Sequence, residues 1–486
     1  MREHDSATYR SSLSFLLIVA CRRLLGRDIA LRHSISDAYY WEFKDGGSMS
    51  DDEIDCLSGY MKDLINKDMP FESKMMSLKD ARSIFFAQGQ DELADLLGLA
   101  LVDPIEIYSL GDMYGFFFSP LVKSTKNISL FKIFRFASGF CMQFPAYEGM
   151  ELLPFYASEK MSSSFLDYAS WLSVLGVSYM NSLHRAINEG GEKHLVLVSE
   201  AFHSQKIAEI ADDISKRGAK IVTIAGPSSS GKTTFSERLK IQLYVCGKRP
   251  VTLPMDNYFH DRDNTPKGQD GEPNFEVPEA LDLELLKNNL SSMLKGEEVQ
   301  TPIFDFIVGK KRPGKKIKLE NDNVLIMEGI HGLNNKIIGQ IPSEHLYTIF
   351  AAPTTGICLD PYNRTSTSDN RLLRRIIRDN RTRGYKAENT LVIWSKVVSG
   401  ASKYIFPYRD MADKVFNSSL PYELAVIKSC VTPLLHSVPE SSPIFCEVLR
   451  LQRMLKFIPS MCADNIPNNS VLREFIGGTC FEEVEK

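Results

Sequence analysis

The stretch that most constrains this chain is Gly226-Pro-Ser-Ser-Ser-Gly231-Lys232-Thr233. An apolar, β-branched run, KIVTIAG (220–226), leads into it, and a helix-forming run, TTFSERL (233–239), leads out. The spacing is G-x-x-x-x-G-K-S/T between a strand and a helix. Its glycines let successive backbone N–H groups converge on phosphate oxygens. The positive end of the helix that starts near Lys232 strengthens that field. Gly226, Pro227, Ser228, Ser229, Ser230, Gly231, Lys232, Thr233 and Thr234 therefore read as a cradle for ATP. Lys232 reaches toward the β- and γ-phosphates, and Thr233 offers a hydroxyl to Mg2+.

Around the cradle the texture alternates. RPVTLPMD (249–256), NVLIMEGI (323–330), LYTIFAA (346–352) and DKVFNSS (413–419) join KIVTIAG as short runs of buried-strand character. Helical patterns separate them, which predicts an α/β, doubly wound parallel sheet. At 486 residues the chain exceeds one core. The expected division is an α+β front domain over 1–195, a linking helix over 196–217, the P-loop domain over 218–438, and a C-terminal helix and tail over 439–486. In the front, DDEIDCLSGYMKDLINKD (51–68) and DARSIFFAQGQDELADLLGLA (80–100) read as helical, and YGFFFSP (114–120) as strand-like.

Composition excludes several classes. With 43% apolar residues, 24% charged and a net charge of −4, the whole chain gives no case for nucleic acid or an anionic membrane as partner. LSFLLIVAC (13–21) is too short to span a bilayer and lacks a clean basic flank, so a buried helix is expected rather than a signal peptide. Nine scattered cysteines without a CxxC pair predict reduced core thiols in a cytoplasmic protein.

Chemistry beyond phosphate holding rests on carboxylates and arginines. Asp256 stands at the carboxyl end of a predicted strand, where it can accept a proton from an attacking hydroxyl. Glu328 follows an apolar run in VLIMEGIHG, the position of a magnesium carboxylate. RLLRRIIRDNRTRG (371–384) carries six arginines in fourteen residues and reads as a lid that closes over transferring phosphates.

Residues about 218 to 435 resemble the uridine kinases of the phosphoribulokinase/uridine kinase family. GPSSSGKTTF, MDNYF, NFEVPEALD (274–282), the segment from Thr301 to Arg312, IMEGIHGL and RRIIRDNRTRG occur in family order. The resemblance implies a nucleoside kinase that uses ATP and Mg2+, with Asp256, Lys232 and Arg374 as the catalytic set. Thr233 and Glu328 fall on the magnesium positions and Glu276 on the ribose-holding one. Tyr258, Phe259, Phe304, Phe306, Arg371 and Arg383 line the acceptor, and Arg378 faces ATP. Phe304 stands where these kinases carry a tyrosine, Phe259 replaces another tyrosine, Glu276 an aspartate, and the base-reading histidine is missing. Transfer chemistry is therefore expected intact and base recognition altered. A pyrimidine nucleoside, uridine or cytidine, is the favoured acceptor, and a phosphoribulokinase-like or pantothenate-kinase-like enzyme is an alternative.

Residues about 12 to 190 resemble the second additional domain of threonyl-tRNA synthetases. The resemblance rests on ALRHSISDAYYWEF (30–43), PFE (70–72), DARSIFFAQGQDELADLL (80–97) and YSLGDMYGFFFSPLV (108–122). The ending SVLREFIGGTCF (470–481) resembles that of bacterial nucleoside kinases with such a front domain. His33 is followed four residues later by Asp37 rather than by a second histidine, so no editing activity is implied. RNA or protein contact, or a scaffold role, stays open for the front domain. An ATP-gated RNA- or protein-binding regulator stays open for the chain, as does a homo-oligomer.

Overall fold

The computed structural model describes residues 3–35, 37–100, 102–145, 151–156, 158–268, 271–305, 308–339, 341–354 and 357–481. The front half begins with α1 (Glu3–Ala20), in which the apolar run predicted to be buried is enclosed: Leu13, Leu16, Leu17 and Val19 have no exposed surface. They share one apolar cluster with β1 (Ile29–Ile35), β2 (Ala38–Phe43) and α2 (Asp51–Asn66). Ser50 and Glu53 start α2 by each accepting from the other's backbone N–H. β3 (Glu72–Met76), α3 (Leu78–Ala87), α4 (Asp91–Leu97), β4 (Ile105–Leu110), β5 (Met113–Gly115), β6 (Lys132–Phe136) and β7 (Gly139–Gln143) follow. Two antiparallel sheets result, ordered β1-β2-β7-β6 and β3-β4-β5.

Two local readings are corrected. The helical block at 80–100 is two helices, because Gly89 takes the left-handed conformation at φ +67° between them. In YGFFFSP only Tyr114 and Gly115 pair in a strand, while Phe116 and Phe117 turn into the core.

α5 (Glu159–Leu175) and α6 (Met180–Asn188) lead to α7 (Glu192–Arg217), a helix of 26 residues. Beyond it come β8 (Ile221–Ala225), α8 (Lys232–Val245), β9 (Arg249–Pro254), α9 (Leu283–Leu294) and the hairpin β10 (Val299–Asp305) and β11 (Lys310–Ile317). The chain continues through β12 (Asn323–Glu328), α10 (Asn335–Ile338), β13 (Leu346–Ala352), α11 (Thr367–Arg383), α12 (Ala387–Tyr404), β14 (Lys414–Asn417) and α13 (Glu423–His436). The runs read as strands in the sequence form one parallel sheet, ordered β14-β13-β8-β12-β9. β8 is buried at every residue. The chain winds to one side of β8 and then to the other, so a crevice opens at the carboxyl end of β8, where the phosphate loop begins.

The two halves share a core. Leu372, Leu373 and Ile376 of α11 pack in the same cluster as α1, together with Val471, Leu472 and Phe475 of the tail. A segment between β13 and α11 stitches the seam: Leu31 N–H donates to Pro361 O at 2.7 Å, Met180 N–H to Cys358 O at 3.0 Å, and Asn363 Nδ2 to Phe116 O at 2.9 Å. The tail adds α14 (Phe445–Leu455) and α15 (Arg473–Ile476). The expectation of core thiols holds for Cys21, Cys141 and Cys358, whereas Cys56, Cys446, Cys462 and Cys480 lie at the surface. Among the described residues no helix is long and apolar enough to cross a membrane.

Candidate active site

Two glycines fix the phosphate loop for steric reasons. A Cβ on Gly226 would sit 2.0 Å from the Ala351 carbonyl oxygen, and Gly231 closes the loop at φ +82°. The carbonyls between them are held from outside. Ser228 O accepts from Arg371 Nε at 2.9 Å, Ser229 O from Arg374 Nη1 at 3.4 Å, and Ser230 O from the Ser418 hydroxyl. In a trans peptide the C=O of one residue and the N–H of the next point oppositely. Anchoring these carbonyls outward turns the N–H groups of Ser229 and Gly231 inward, while the Ser230 N–H donates to Pro227 O at 3.2 Å. That is the anion nest the sequence spacing predicts.

Lys232 starts α8 with its ammonium 3.3 Å from Pro227 O and 3.9 Å from Glu328 Oε1. Thr233 Oγ1 lies 3.5 Å from Glu328 Oε2. A hydroxyl and a single carboxylate beside a phosphate cradle fit Mg2+, which takes one or two carboxylates and completes its shell with phosphate and water. Thr234 differs from the rest of the loop: its N–H donates to Glu474 Oε2 at 3.0 Å. The tail thus rests a carboxylate on the first turn of α8, with Val471 packed on Gly231.

α11 distributes its arginines unequally. Arg374 is wholly enclosed and grips Glu423 with both Nε and Nη2, the latter at 2.7 Å, so it braces the loop from beneath. Asp379, equally enclosed, collects Arg375 at 3.1 Å, Arg378 at 2.8 Å and Arg383 at 3.5 Å. Arg375 also reaches the Ser228 hydroxyl at 3.0 Å. Arg371 and Arg375 lie near enough to Glu276 for their charges to offset part of the rise that burial imposes on its carboxyl.

Asp256 lies in the first half of the short 3₁₀ turn Met255–Tyr258 after β9, partly exposed, and its carboxylate makes no hydrogen bond or ion pair with any described residue. Its charge acts on Glu276, as does that of Lys232, so these groups share one space. Behind them Phe259 meets Phe275 and Phe304 edge-on, at 5.2 Å and 5.9 Å between ring centres. Tyr258 is turned into the core, where its hydroxyl accepts from Asn289 Nδ2 at 2.9 Å, leaving no face toward an acceptor. Phe306 lies outside the described residues.

The sequence reading missed several members of the site. Arg375 and Asp379 stand in the quoted arginine run but carried no role. His331, in the IMEGIHG motif, is buried beside Asp256 and Glu279, and burial lowers its imidazole to about 4. Glu423 and Glu474 lie far away in sequence and no local pattern announces them.

Residues 221–424 match the model of the phosphoribulokinase/uridine kinase family. A uridine kinase of Staphylococcus haemolyticus is 29% identical over 40% of this chain and 84% of its own length. One from Halobacterium salinarum is 26% identical over 40% of this chain and 77% of its own. A solved D-glycerate 3-kinase from Cryptococcus neoformans aligns with 54% of this chain and 89% of its own at 15% identity, with a TM-score of 0.24, too low to carry an argument. The matched stretch is that of a P-loop kinase acting on small metabolites, and it coincides with the parallel sheet and the cleft above it.

Proposed function

We propose that this chain transfers the γ-phosphoryl group of ATP to the 5′-hydroxyl of a pyrimidine nucleoside, uridine or cytidine. The observation that carries the reading is the carboxylate of Asp256, unpaired among the described residues and close enough to Glu276 for its charge to act there, as that of Lys232 does. A carboxylate so poised takes the proton of the attacking hydroxyl as the bond to phosphorus forms. Glu276 holds the ribose hydroxyls, and Lys232 with the loop N–H groups holds the phosphates. Thr233 and Glu328 hold Mg2+, which when bound neutralises charge on the phosphates. Arg371, Arg375 and Arg378 stand where negative charge grows, in a site that lid closure dries. The front domain serves as a scaffold of the synthetase-like kind, and the enzyme works in the cytoplasm.

A phosphoribulokinase-like acceptor is the second reading, kept open because Phe259 and Phe304 offer no hydroxyl to read a base edge. An ADP-release assay across nucleosides, sugar phosphates and pantothenate separates the two. Turnover with uridine or cytidine at least about tenfold above the other acceptors is expected; turnover with none of the nucleosides removes the proposal.

A further inference from the structure

Between the front sheet and the kinase sheet lies an open cavity of about 440 Å3 that shares only Pro227 and Arg371 with the transfer site. Asp256, Glu276 and Phe304 do not line it. On one wall, His33 of β1 stacks on Phe165 of α5, with ring centres 3.4 Å apart. On the other stand Phe350 at the end of β13 and Phe406 after α12. Pro227 of the phosphate loop and Arg371 of α11 close the inner end.

The charges in this wall are unbalanced by contact. Arg364, Arg371 and Arg409 contribute guanidinium groups, and Asp37 and Asp410 the carboxylates. Among the described residues no ion pair joins either aspartate to any of these arginines. The Arg409 guanidinium makes no hydrogen bond or ion pair with a described residue, and Arg364 reaches the Ser34 hydroxyl but no carboxylate. Arg371 is 4% exposed, donates from Nε to Ser228 O, and leaves Nη2 enclosed without an acceptor. His33, 5% exposed, has both ring nitrogens enclosed and unpartnered, and burial with the Arg364 charge holds it well below the usual imidazole range. Arg364 and Arg409 are partly exposed and their planar forks match phosphate oxygens, while Arg371, whose charge also acts on Glu276, keeps Nη2 without an acceptor. Rings on both sides fit a flat organic body.

We propose that this cavity binds a small organic phosphate, its phosphate on Arg364, Arg371 and Arg409 and its body between the Phe165 and Phe406 walls. The inference does not depend on which acceptor the kinase cleft takes. An occupant would touch the back of the phosphate loop through Pro227 and Arg371, which places it to influence ATP binding from behind.

The test uses the full-length protein saturated with a non-hydrolysable ATP analogue, with and without saturating uridine, so that binding in the transfer cleft is told apart from binding in the cavity. Uridine 5′-monophosphate, ribose 5-phosphate and inorganic phosphate are then titrated calorimetrically. The two organic phosphates should bind more tightly than inorganic phosphate, and the tighter of them tells whether a base or a sugar fills the ring-lined part. Arg409→Gln, which removes an unpaired charge, and Ser402→Trp, which adds bulk at the exposed rim, should each weaken that binding about tenfold or more. Absence of binding, equal affinity for inorganic phosphate, or wild-type affinity in either variant overturns the proposal.

Discussion

The two sides of the transfer cleft are built on opposite plans. On the phosphate side the loop carbonyls and the main charges are tied down: Ser228, Ser229 and Ser230 carbonyls on Arg371, Arg374 and Ser418, Arg374 on Glu423, and Asp379 beneath three arginines. On the acceptor side Asp256 has no partner among the described residues, and the wall behind it is aromatic. Binding a triphosphate needs a rigid nest that does not reorganise, so a braced loop suits it. Accepting a proton needs a carboxylate that no internal donor already holds. The difference teaches that stability and chemistry have been assigned to separate walls, and each wall should fail in its own way.

The largest effect belongs to the acceptor wall. Asp256→Asn should lower kcat by about 10³-fold while leaving ATP affinity and unfolding midpoint unchanged, because the side chain supports nothing else. Steady-state kinetics beside nucleotide titration measure both, and near-normal turnover would erase the contrast. On the phosphate wall the failure is structural. Glu423→Gln leaves the enclosed Arg374 guanidinium without its counter-charge and should destabilise the chain by about 3–5 kcal/mol in denaturant unfolding. Replacing both partners, Arg374→Met with Glu423→Leu, should recover much of that loss, since no charge then stays buried. A double variant no more stable than the single one would mean that Arg374 matters through Ser229 and Ser418 rather than through the pair.

How much of this was readable in the sequence depends on distance along the chain. Gly226 to Thr234 is a local pattern, and its spacing specifies strand, nest and helix together; the same holds for the β-branched runs that became the parallel sheet. Asp256 and Glu328 were legible because strand ends in such a sheet converge on one edge. Tyr258 was not, because a short 3₁₀ turn after β9 decides which neighbour of Asp256 faces the cleft, and no periodicity encodes that turn. Gly89 split a predicted helix because its left-handed backbone outweighed the apolar spacing on either side. Glu423 and Glu474 were invisible for a different reason. Glu423 stands 49 positions from the Arg374 it pairs with, and Glu474 stands 240 positions from the Thr234 amide it accepts from. Both are tertiary contacts, formed only once the sheet and the tail have come together.

A smaller effect should appear as pH dependence on the acceptor wall. Burial raises the Glu276 carboxyl above its ordinary 4.5, with Arg375, Arg371 and Lys232 pulling the other way. A raised value means that the proton is retained to higher pH, so the carboxylate form that accepts ribose hydroxyls is lost earlier as pH falls. KM for the acceptor should therefore climb, about tenfold per unit below the raised value, as pH is lowered from neutrality toward 4.5. KM for ATP should stay level, and Glu276→Gln should flatten the acceptor profile. A wild-type acceptor KM that does not move over this range would show that the ribose contact uses the neutral acid.

The smallest expected effect tests whether the phosphate wall is as settled as it looks. Glu474 holds an N–H on the first turn of α8, a turn that in this loop type serves the α- and β-phosphates. A carboxylate near that turn stabilises the empty helix end but repels an incoming phosphate, so the tail and ATP oppose each other. Glu474→Gln keeps an oxygen for the Thr234 amide and removes the charge. ATP should then bind about two- to fivefold more tightly, the scale of a charge at a helix terminus. The gain should shrink in high salt, since the repulsion is screened there. Unchanged or weaker ATP binding in the variant would mean that Glu474 caps α8 beside the bound nucleotide, and the tail would then belong to the braced wall rather than stand against its ligand.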